Sequence, residues 1–139
     1  MHRLGRAALL LTMCGIAAVA AGCAGSDLGP SRILVPITDV KSVAGNWSGN
    51  FLRDATTQQD LVKLTVNDDG TFEISSVRQI GILQGKGKAL AQGGKLVLEG
   101  ERGGSAVFSL YDLSGNKYLK GQARTKDGDT FSGELKPVK

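Results

Sequence analysis

The sequence predicts an all-β chain folded as an up-and-down antiparallel eight-stranded small barrel, and three observations carry that prediction. From Gly45 onward apolar and polar residues alternate with period two, the repeat of a strand with one buried face. The alternating runs are separated by clusters of Gly, Asn, Asp and Ser, residues that tolerate the positive φ of tight hairpins. When alternate residues are collected from every run, they make a single face without a charged residue.

The first strand, near Asn46–Leu52, turns Trp47, Gly49 and Phe51 to that face. The second, Asp60–Asn67, contributes Val62, Leu64 and Val66, and the turn Asp68-Asp69-Gly70 leads to a third, Thr71–Ser76, with Phe72 and Ile74. A fourth, Leu83–Ala91, presents Leu83, Gly85, Gly87, Ala89 and Ala91. Gly93-Gly94 then turns the chain into a fifth, Lys95–Gly100, with Leu96 and Leu98. Past Gly103-Gly104, the sixth, Ser105–Asp112, carries Ala106, Phe108 and Leu110. Ser114-Gly115-Asn116 connects it to the seventh, Lys117–Arg124, with Leu119, Gly121 and Ala123. After Asp127-Gly128-Asp129 the eighth, Thr130–Lys136, adds Phe131, Gly133 and Leu135. The opposite face carries Lys63, Glu73, Lys86, Lys88, Lys95, Glu99, Lys120, Arg124 and Glu134, so it meets water. Short connections imply antiparallel neighbours. Eight one-sided strands hide their apolar face and lose their edges by closing on themselves.

Many inward positions are Gly or Ala, which has two readings: room for a ligand, or strands coiled tightly around a filled core. A cavity would be lined by Trp47, Phe51, Phe72 and Phe108 and would take an apolar molecule. A filled barrel would instead work through its turns and outer face, where Tyr111 and Tyr118 flank the Ser114-Gly115-Asn116 turn as candidate contacts. The same two tyrosines would equally stiffen a hairpin as a cross-strand pair.

Ahead of the barrel, Met1 to Arg6 is basic and Ala7 to Ala20 is an unbroken apolar or small run, the layout of an export signal. The run is shorter than the ~20 residues that cross a bilayer. Residues 23–44 contain Pro30 and Pro36 and no sustained period, and read as a tether to a domain spanning 45–139. Ile33, Leu34, Val35 and Ile37 argue that part of this tether packs across the domain or on a membrane surface.

Composition narrows the chemistry. The 17 basic residues include Arg3 and Arg6; without them the balance is +2, which gives nucleic acid no purchase. The one histidine is His2 and the two cysteines are Cys14 and Cys23, so the strand region holds no imidazole, thiol or disulfide. Nucleophilic catalysis of the Ser-His-Asp or Cys-His kind and a typical zinc site are excluded there. The acidic residues read as lying in turns or on the solvated face, and no acid is expected inside. Neither acidic turn fits the twelve-residue calcium loop. Gly85-Lys86-Gly87-Lys88 lacks the spacing and following helix of a phosphate loop. No catalytic residue, cofactor or metal is expected.

The run Ala20-Ala21-Gly22-Cys23 resembles the lipobox of bacterial lipoproteins, with Ala20 where the family usually has Leu. The resemblance implies cleavage after residue 22, a diacylglycerol on the Cys23 sulfur and an acyl chain such as palmitate on the new amino terminus. Retained inner-membrane members often carry Asp after the cysteine, and Ala24 stands there instead, which implies an outer-membrane address. The opening Gly45-Asn46-Trp47 resembles the Gly-x-Trp start of lipocalin-like and avidin-like barrels, whose Trp closes one end while the other binds a small apolar ligand. The expected function is therefore that of a non-enzymatic envelope lipoprotein binding an apolar small molecule or lipid. The alternative is a filled interaction module that docks an envelope protein or inhibits a hydrolase.

Overall fold

The structure is a computed structural model that describes residues 31–77 and 84–139. The signal segment, Cys23 and Leu83 lie outside the described residues. Among these residues nine strands run in order: β1 (Ile33–Val35), β2 (Gly45–Arg53), β3 (Gln59–Val66), β4 (Thr71–Ser76), β5 (Gly85–Gln92), β6 (Lys95–Gly100), β7 (Ser105–Leu113), β8 (Asn116–Arg124) and β9 (Thr130–Pro137). Strands β2 to β9 pair antiparallel in chain order. β9 returns to β2, so the eight form a closed up-and-down barrel.

The uncharged face points inward as its period requires. Phe51, Val62, Leu64, Leu96, Leu98, Phe108, Leu110, Leu119 and Leu135 are almost wholly buried in one apolar core. The β7–β8 hairpin turns on Ser114 and Gly115, at φ 53° and 86°, the pair of positive values that a two-residue type I′ turn demands. The two acidic turns are alike in sequence but stabilised differently. Asp69 Oδ1 accepts from the Thr71 hydroxyl at 2.6 Å and from the Thr71 amide at 3.0 Å, contacts that hold its carboxyl below the usual carboxylate range. Asp129 instead accepts from Arg53 of the adjoining strand β2, at 2.8 Å.

The packed structure begins ahead of Gly45. β6 pairs with β7 only as far as Phe108, because the β5–β6 turn at Gly93-Gly94 ends that hairpin early. The edge of β7 beyond it would be left with open backbone groups. β1 fills that place, with Ile33, Leu34 and Val35 opposite Asp112, Tyr111 and Leu110. The chain then crosses the barrel end. Ile37 donates its amide to Gly94 O at 2.8 Å, and a 3-10 turn over Val40–Val43 starts at Asp39, whose side chain accepts from the Lys41 amide. Ile37 and Val43 are buried, and the Trp47 indole donates to Val43 O at 2.9 Å. This crossing closes the end that also carries the turns 67–70, 93–94 and 114–115.

One expectation needs correcting. Asp60 is buried on the inner face, in phase with Val62, Leu64 and Val66, although no acid was expected inside. Its neighbour on β4 is Ser76, also buried and one register step away, since Ser76 stands opposite Val62. Parity alone puts Asp60 there; its position at the strand's first residues made it read as part of a turn.

Candidate functional site

In an up-and-down barrel alternate turns share an end, so 54–58, 101–104 and 125–129 gather opposite the crossing segment. Between two of them, 101–104 and 125–129, and the start of β5 lies a cavity of about 370 Å³. Its floor is Phe72, Ile74, Leu98, Ala106 and Ala123. Its rim carries Arg102, Arg124, Lys126, Asp127 and Asp129.

The inward glycines explain why the space is here and not deeper. Phe108, Gly121, Gly133 and Phe51 stand in one row across β7, β8, β9 and β2. The two rings flank the glycines, with centroids 6.0 Å apart and planes tilted by 56°. A Cβ on Gly133 would fall 2.4 Å from the Phe51 ring, and one on Gly121 only 1.9 Å from Val107 O. Gly49 and Gly87 are crowded in the same way by the backbone of β9 and β6. These glycines therefore serve close approach and a filled interior. Gly85 is different: it stands opposite Ile74 on the inner face, borders the cavity, and a Cβ there would meet nothing within 4 Å.

Of the four aromatic residues expected to line a pocket, the structure brings only Phe72 to the cavity. Trp47 seals the opposite end, and Phe51 and Phe108 fill the middle of the core. Tyr111 and Tyr118 are direct partners across β7 and β8 and are half-buried on the outer wall. The Arg32 guanidinium and the Lys136 ammonium each lie 5.5 Å from the Tyr118 ring centre. Arg32 also pairs with Glu134, which holds its pKa above the ordinary guanidinium value. The tyrosine pair thus sits under two cations and a strand edge.

Sequence reasoning missed the cationic rim. Arg124 read as part of the solvated face, Arg102 only as a loop cation suited to an acidic partner, and Lys126 carried no signal of its own. Counting hairpins would have placed all three at the same end as Phe72 and Ile74. Among the described residues no group of three or more His, Cys, Asp or Glu is arranged to hold a metal ion. Compared with protein-family models, with curated proteins and with solved structures, the chain finds no match in any of the three.

Proposed function

We propose that this chain is a non-enzymatic lipoprotein of the cell envelope, anchored in the outer membrane through Cys23, whose barrel takes a small apolar molecule or lipid at its open end. The observation that supports this reading is the cavity of about 370 Å³, floored by Phe72, Ile74 and Leu98 at the end opposite Trp47. Its volume falls at the lower end of the ~300–1,000 Å³ usual for ligand pockets, which fits a molecule with one chain rather than a two-chain lipid. The absence of imidazole and thiol after Cys23 supports binding over acyl-transfer chemistry.

The binding test uses the neutral fluorescent probe N-phenylnaphthylamine. Gly85→Leu points a side chain into open space from an unstrained position, so it should leave the fold intact and weaken probe binding by at least about tenfold. Equal binding by the variant and the parent would remove the cavity from this reading. The anchor is tested separately: Cys23→Ser should move the protein from the membrane to the soluble fraction. Continued attachment would show that no lipid on Cys23 holds it there.

A further inference from the structure

The charges around the cavity are unequal in a way that the apolar floor does not require. Asp129 is already engaged, by Arg53, a residue that is not part of the cavity wall. Arg102, Arg124 and Lys126 form no ion pair among the described residues, which leaves three cations against Asp127. The exposed Lys126 lays its stem against the turn at the cavity edge: a Cβ on Gly103 would lie 3.2 Å from Lys126 Cγ, so the glycine leaves room for it. An apolar floor beneath an unpaired cationic rim matches a molecule with both characters.

We propose that the ligand of this cavity is an anionic amphiphile with a single apolar chain, its acidic head held by Arg102, Arg124 and Lys126 and its chain laid on Phe72, Ile74 and Leu98. The inference rests on the cavity reading given above and specifies its ligand class. A carboxylate or phosphate head accepts charge-assisted hydrogen bonds from guanidinium groups. A neutral head would displace water from these cations without replacing its hydrogen bonds, and a cationic head would be repelled. The ligand is a detached monomer rather than a lipid of the anchoring bilayer. A cavity of about 370 Å³ suits one apolar chain, whereas a bilayer lipid carries two.

The test is calorimetric titration of the full chain carrying Cys23→Ser, which keeps detergent out of the assay, with decanoate, decanol and decyltrimethylammonium at neutral pH and below their micelle concentrations. Decanoate should bind at least about tenfold more tightly than decanol, with decyltrimethylammonium weakest. Added salt should weaken decanoate alone. The double variant Arg102→Gln/Lys126→Gln should bring decanoate to the affinity of decanol and leave decanol unchanged. Equal binding of decanoate and decanol by the parent would overturn the anionic head while leaving an apolar cavity in place; binding of neither would overturn both readings. Sedimentation with phosphatidylglycerol vesicles that decanoate competes away would overturn the detached source.

Discussion

Phe108→Ala is expected to cost about 3–5 kcal/mol of unfolding free energy, the range for truncating a buried Phe to Ala. Phe108 is fully buried, in the middle of the barrel, and its ring packs on Phe51. The flanking position Gly121 has no side chain to close the resulting gap, and β7 and β8 cannot approach further, being already in van der Waals contact over that glycine. Collapse is therefore limited, and the loss should include most of the cavity penalty. Against a total stability of about 5–15 kcal/mol for a domain of this kind, the variant should be marginal. Urea denaturation would show this as a lower midpoint with an unchanged slope. A loss below about 1 kcal/mol would mean that Phe108 is not core.

Gly121→Ala should also destabilise, contrary to the usual sign. Replacing Gly by Ala at a compatible position restricts the unfolded chain and gains about 0.4–1 kcal/mol. At Gly121 the added methyl would fall 1.9 Å from Val107 O and 2.9 Å from Phe108 Cα, both backbone atoms that cannot rotate away. The β7–β8 ladder would have to open, at a cost toward the upper end of the ~1–3 kcal/mol seen for overpacking. Gly85→Ala is the matched comparison, since its methyl enters open space at a position without positive φ. Thermal unfolding of the two variants should shift in opposite directions. A neutral or stabilised Gly121→Ala would show that β7 and β8 are not in close approach at that row.

Both expectations turn on inward glycines, which were visible in the sequence as a class but not as individuals. Period two reports which side of a strand a residue faces. It does not report the distance to the next strand, which depends on how the barrel coils. Gly121 and Gly85 therefore looked equivalent, although one lies against backbone and the other borders the cavity. The same reasoning applies to the aromatics. Trp47, Phe51, Phe72 and Phe108 were all correctly inward, but only their heights along the barrel separate a lid, a core and a cavity floor.

The sequence by itself determined the all-β class, the eight barrel strands and their meander, and the uncharged inner face. Those features follow from residue-to-residue alternation and from turn chemistry, both local in the chain. Tertiary structure alone decided that Ile33–Val35 fills the edge left by a short hairpin, and that Ile37, Val43 and Trp47 close one end together. It also decided that Arg102, Arg124 and Lys126 meet around Phe72 and Ile74. Each of these depends on which strand ends share one mouth of the barrel and how far each hairpin extends, relations between residues distant in sequence that closure of the sheet creates.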